Sequence, residues 1–120
     1  MNKRRTYVKY SPEYLLHCSI VDYLSHILTS KSLLTTFPSG GGGKIRGARL
    51  KRAGLKAGIP DLMIIHNGLY YGLEIKTKSG KLSENQKNMH ELIKKCGGKV
   101  AVVRSISDTE KVINEWQLRT

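Results

Sequence analysis

The chain is short of several things, and each shortage removes a class of protein. It has only two cysteines, Cys18 and Cys96, in 120 residues. They form no CxxC pair, and with four scattered histidines they give no zinc-ligand spacing. Both are expected to stay reduced, as small hydrophobes. No segment approaches the ~20 consecutive apolar residues that cross a bilayer. The basic start, MNKRRTYVKY, is not followed by an apolar signal region, so a cytoplasmic protein is expected. Acid is scarce as well. Twenty-one Lys plus Arg stand against nine Asp plus Glu, for a net charge of +12, and no acidic residue lies between Asp22 and Asp61. Lys31, Lys44, Arg46, Arg49, Lys51, Arg52 and Lys56 fill that gap, and Lys3, Arg4, Arg5 and Lys9 open the chain. A solvated basic face is one reading, but a one-signed block this dense points to a polyanion. Nucleic acid fits better than an anionic membrane, because no stretch joins that charge to a large apolar helical face. An enzyme acting on small phosphate compounds would need no such broad basic surface.

What is present is one ordinary domain, residues 1–120. Residues 1–10 form a basic extension, and 39–57 a glycine-rich, basic segment. Ser11-Pro12-Glu13 predicts a helix start, with Ser at the N-cap and Pro at the first position. The helix is expected over 12–29, with Leu16, Ile20, Leu24 and Ile27 as its buried stripe. A strand is expected over 33–37, a basic helix within 44–57, and two strands over 61–66 and 69–77 joined by the Asn67-Gly68 turn. Ser83-x-x-Gln86 is a capping box for a helix ending near Cys96 at Gly97-Gly98. KVAVVR, 99–104, reads as a strand. Ser107-x-x-Glu110 reads as a second capping box opening a last helix through Val112, Ile113 and Trp116. The order predicts a mixed α/β domain with helices covering a small sheet.

The SGGGGK stretch lacks the GxxxxGK[ST] spacing of a phosphate-binding loop, since Ile45 follows Lys44, so no nucleotide cofactor is expected. The chemistry lies in the hairpin. Glu74 and Lys76 are two apart and share one face of their strand, while Leu73, Ile75 and Thr77 point the other way. The turn brings Asp61 across from Glu74. Two carboxylates side by side repel unless a proton or cation lies between them, and paired carboxylate oxygens suit Mg²⁺. A lysine on the same face holds a water or neutralises a developing anion. The alternative is a surface face with a Glu-Lys ion pair. Glu13, in line with Ile20 and Leu24 on the first helix, is either a third ligand or an acid placed to suit the helix dipole. His17, one turn on, is either a core histidine or an edge of the site.

Gly58-Ile59-Pro60-Asp61-Leu62, Leu73-Glu74-Ile75-Lys76-Thr77 and Gly80-Lys81-Leu82-Ser83 with Gln86 resemble the VRR-NUC domain, the virus-type replication-repair branch of the PD-(D/E)xK nuclease superfamily. The resemblance spans about 13 to 116, and the approach Leu50 to Gly58 shares it. It implies a restriction-endonuclease-like core of α-β-β-β-α-β type and an endonuclease dependent on Mg²⁺ or Mn²⁺. Asp61, Glu74 and the main-chain carbonyl of Ile75 would be metal ligands, Glu13 would complete the acidic set, and Lys76 would act on the attacking water. Gln86 would support the site, or serve only as the capping partner of Ser83. Lys44, Arg46, Arg49, Lys51, Arg52 and Lys56 would hold the DNA backbone. Branched duplex DNA as substrate, a homodimer, and a bacterial or phage-infected host are implied in the same way. Two departures mark the edge of the site: Ser39 stands in a segment where many members have Pro-Asn-Gly, and His17 where glutamine is common. The rival to the enzyme is a basic nucleic-acid-binding module that does not cleave.

Overall fold

In a computed structural model of the chain, which describes residues 10–37 and 43–120, Asn67 and Gly68 take φ of 51° and 76°. Positive φ at both central residues is the two-residue hairpin turn whose twist matches its strands. It joins β2 (Leu62–His66) to β3 (Leu69–Ile75). The antiparallel register sets Leu62 against Leu73 and Ile64 against Tyr71. The flanking strands are β1 (Ser32–Thr36), antiparallel to β2, and β4 (Lys99–Val103), parallel to β3. The mixed sheet therefore runs β1-β2-β3-β4.

Helix α1 (Pro12–Ile27) starts where the Ser11 hydroxyl accepts the Tyr14 amide, and α4 spans Ile106–Trp116. Both pack on the face that carries Leu62, Ile64, Tyr71, Leu73, Ile75 and Val103, adding Ile20, Leu24 and Ile113 to one core. By strand alternation Gly72 and Glu74 lie on the opposite face, which α3 (Glu84–Lys95) covers. Because helices sit on both faces, β3 is buried continuously from Tyr71 to Ile75. A fully covered central strand is the setting in which an acid is most out of place. The expected α/β architecture, a small mixed sheet flanked by helices, is the observed one.

Helix α1 ends at Ile27, not 29, and β1 is Ser32–Thr36, not 33–37; three further boundaries differ, each for a local reason. Helix α2 occupies Gly43–Arg52 and stops short of 57. The Leu55 amide bonds back to the Leu50 carbonyl and that of Gly54 to Lys51, a Schellman closure with Gly54 at φ 113°. Strand β3 ends at Ile75, not at 77, although the Lys76 amide still donates to the Val103 carbonyl. The last helix is capped by Ser105, not Ser107. The Ser105 hydroxyl accepts the Asp108 amide at 3.0 Å, and the Asp108 carboxylate reaches back to the Arg104 amide at 2.9 Å. Glu110, read as the capping partner, instead meets Arg119 and Tyr23.

Candidate functional site

Asp61 is pinned from two sides. Its carbonyl accepts the Thr36 hydroxyl at 2.7 Å, and its carboxylate accepts the Ile75 amide at 2.7 Å. One pair beyond Leu62–Leu73 in the register, this sets the Asp61 side chain beside that of Glu74. Glu74 is only 1% exposed. Its Oε1 lies 3.0 Å from Nε2 of His90, and its Oε2 accepts the side-chain amide of Gln86 at 3.4 Å. Burial first, then a hydrogen bond and the charge of Asp61, push the Glu74 carboxyl up to about 9, with Glu13 adding and Lys76 opposing. Burial beside a second acid disfavours the ionised carboxylate, and Lys76 offsets this only in part.

The motif residues around the pair have local causes. Pro60 is buried and its ring packs on Gly72, where a Cβ would sit 2.8 Å from it. Gly58 has φ 82° and lies against the first turn of α3. A Cβ there would press on the Asn85 carbonyl and come within 2.8 Å of the Gln86 amide. The loop carrying Asp61 and the helix carrying Gln86 are thus in backbone contact only because residue 58 has no side chain. Gly58→Ala is expected to lower stability by about 2 kcal/mol or more, combining overpacking with left-handed strain, as read by urea unfolding. Gln86 does two things at once. Its amide and Oε1 close the capping box with Ser83, at 3.1 and 2.9 Å, while its Nε2 reaches Glu74. Both expected roles of Gln86 are compatible.

Lys76 is half-buried, with its aliphatic stem against Gly80. Arg104 holds the turn after it, donating to the carbonyls of Thr77 at 2.7 Å and Gly80 at 2.6 Å. Asp61, Glu74 and Gln86 face a cleft of about 350 Å³, walled by Gly47, Leu50, Lys51, Lys56 and Gly58. Lys51 and Lys56 thus line the cleft. Lys44, Arg46, Arg49 and Arg52 stand exposed on α2 without lining it.

Glu13 sits in the first turn of α1, the place the helix-dipole reading gives it. It shares the azimuth of Ile20 but stands two turns earlier, roughly 10 Å along the axis, in an exposed first turn. Its charge is felt at Glu74. Yet among the described residues no three His, Cys, Asp or Glu side chains close to metal-holding spacing. His17 is half-buried and does not line the cleft. Ser39 lies outside the described residues. Two residues of the site escaped sequence reasoning, His90 and Arg104. The signal for His90 was the spacing Gln86 to His90, which sets both on one face of α3. Arg104 gave none.

The VRR-NUC domain family model matches residues 4–106. The chain belongs to the VRR-NUC domain family. Among solved structures, one described as a VRR_NUC domain protein is 22% identical, with a TM-score of 0.71 over 92% of this chain and 93% of its own. Another, described as a VRR_NUC domain, is also 22% identical, with a TM-score of 0.60 over 87% and 96%. These two likenesses speak to the fold. No match is found among curated proteins. Membership in a nuclease family brings a divalent cation into question, and the residues of this VRR-NUC domain fit one. Mg²⁺ takes hard oxygen ligands, uses one or two carboxylates and keeps several waters. Asp61 and Glu74 supply two carboxylates at an open cleft, and a cation there would offset the repulsion that raises the Glu74 carboxyl.

Proposed function

We propose that this VRR-NUC domain is an endonuclease that hydrolyses DNA phosphodiester bonds with the help of Mg²⁺ or Mn²⁺, selects branched duplex, and works as a homodimer. The observation that carries the reading is the placement of Asp61 and Glu74 side by side in a cleft walled by Lys51 and Lys56, with Lys76 two residues beyond Glu74. Asp61, Glu74 and the Ile75 carbonyl would hold the cation, and Glu13, in its exposed turn, would act through water. The cation, when bound, lowers the pKa of water and takes up charge growing on the phosphate. Lys76 orients the attacking water and stabilises that charge as a fixed ammonium. Water adds to phosphorus in line with the departing oxygen. The P–O bond opposite breaks, leaving a phosphate monoester and an alcohol. Gln86 keeps Glu74 in place, while α2, Lys51 and Lys56 hold the backbone, contacts that position without specifying sequence. Two sites related by a two-fold axis would cut a four-way junction symmetrically.

The test is a labelled four-way junction and a matched linear duplex, each with Mg²⁺, Mn²⁺ or chelator, for wild type and Lys76→Ala. Cation-dependent cuts are expected, lowered about 10²-fold or more in Lys76→Ala, as for loss of one charge-stabilising donor. Paired cuts confined to the junction would support the dimeric form. Tight binding with no cuts in either metal would replace the enzyme with a basic binding module.

A further inference from the structure

The sequence motif accounts for Asp61, Glu74, Lys76 and Gln86, but not for His90, whose imidazole also meets Glu74. His90 is only 6% exposed, and its Nε2 lies 3.0 Å from Glu74 Oε1. We infer that His90 is a positioning residue, which sets the Glu74 carboxylate so that its free edge faces the cleft and a divalent cation. The inference rests on Glu74 being a ligand of that cation.

A glutamate has three side-chain torsions, and an ionised carboxylate offers about four lone-pair sites on two oxygens. Left to itself in a buried position, it can turn either edge toward any donor. Here α3 presents one donor to each oxygen. His90 meets Oε1, and Gln86, one turn earlier on the same face, meets Oε2. With Glu74 ionised, the His90 bond requires the Nε2–H tautomer, since a carboxylate only accepts. Each oxygen keeps lone pairs directed away from the helix. The helix is itself fixed in height: its N-cap is Ser83, its third residue is Gln86, and the Gly58 backbone abuts Asn85. A rigid imidazole on a rigid helix therefore transmits the position of α3 to the carboxylate. Outer partners of this kind typically change metal affinity or activity 10–100-fold when removed. A direct ligand role would require His90 to give up the bond it makes.

The experiment titrates Mn²⁺ into the full-length protein without DNA, by calorimetry, for wild type, His90→Leu and His90→Gln. Leucine keeps the packing without the donor. Glutamine can place an amide nitrogen where imidazole Nε2 stands. Thermal melts in chelator report whether each variant folds. Expected is Mn²⁺ affinity about 10–100-fold weaker in His90→Leu and recovered to within about threefold in His90→Gln, with DNA affinity in chelator unchanged in both. Pulsed electron paramagnetic resonance of the wild-type Mn²⁺ complex should show no imidazole nitrogen coupling. Such coupling would make His90 a ligand and overturn the positioning role. Equal Mn²⁺ affinity in wild type and both folded variants would overturn it too. If His90→Leu fails to fold, His90→Gln decides: Mn²⁺ affinity unrecovered in that folded variant counts against the inference. A wild type that binds no Mn²⁺ would instead remove the reading of Glu74 as a ligand, and this inference with it.

Discussion

Glu74→Gln is expected to abolish cleavage and, in the metal-free protein, to raise the melting temperature. Both follow from one burial. Desolvation, then the hydrogen bond and charge of Asp61, raise the Glu74 carboxyl from an ordinary 4.5 to about 9. Below pH 4.5 the proton is held in both folded and unfolded chains, and the contribution to stability is full. Between 4.5 and about 9 the unfolded chain releases the proton while the folded one keeps it, so stability falls as pH rises. Glutamine has no proton to lose and escapes this slope. His90, held below its ordinary 6.5 by burial and then by Lys94, costs stability as pH falls below that value. It does so in both proteins and largely cancels in the difference. At pH 8 with chelator, the variant should melt at least about 4 °C higher, the shift of roughly 1 kcal/mol in a domain this size, and the gap should narrow toward pH 4.5. Mg²⁺ should raise the melting temperature of the wild type, because it binds the folded state, and leave the variant unmoved. Cleavage should fall about 10³-fold or more, since a metal site supplies several kcal/mol to the transition state. Equal melting at pH 8 in chelator, or cleavage within tenfold of wild type, would refute this account of the acid pair.

That an acid on a covered strand was readable beforehand owes to the hairpin. Two residues, Asn67 and Gly68, determine the turn, the turn determines the register, and strand alternation does the rest. Asp61 could thus be set beside Glu74 from the sequence, as the 2.7 Å bond from Ile75 to Asp61 requires. Ser83 and Gln86 were equally legible because a capping box lies within four consecutive residues. Legibility failed where a third dimension was needed. Helical periodicity gives the azimuth of Glu13 but not its height, and α1 meets the core only further along, with Ile20 and Leu24 its buried residues. Basic composition over 44–57 cannot mark a helix end that Gly54 sets. The His90–Glu74 contact joins residues sixteen apart through a helix docked on a sheet; the Gln86–His90 spacing gives their shared helix face but not the strand it meets. Arg104 acts on main-chain carbonyls, and those are invisible in side-chain chemistry. Sequence reading put the last cap at Ser107, two residues beyond the one the structure uses. That one is Ser105, whose Asp108 also satisfies the amide of Arg104.

DNA binding in chelator is expected to weaken about 10³-fold between 50 and 200 mM salt. Six cations, Lys44, Arg46, Arg49, Lys51, Arg52 and Lys56, lie on α2 and the loop after it. All but Lys51 and Lys56 stand clear of the cleft, and no acidic residue falls between Asp22 and Asp61 to offset them. If each neutralises one phosphate, counterion release gives a slope near −5 in log affinity against log salt, from about −0.9 per contact. A fourfold rise in salt then costs roughly three decades. Changing Arg46, Arg49 and Arg52 together to Ala should reduce the slope by about 3, and affinity should fall alike for every sequence, because phosphate contacts carry no base information. Mn²⁺ affinity should be untouched, since none of the three borders the acid pair. Filter binding over a salt series on two unrelated duplexes reads both quantities. A slope near zero would leave the +12 charge unexplained by DNA. A slope that survives the triple change would move the backbone contacts off α2 and onto the other basic cluster, Lys3 to Lys9. Separation of the two effects, salt slope on α2 and cation affinity at Asp61 and Glu74, would mean that this small domain grips its substrate with one set of residues and cuts it with another.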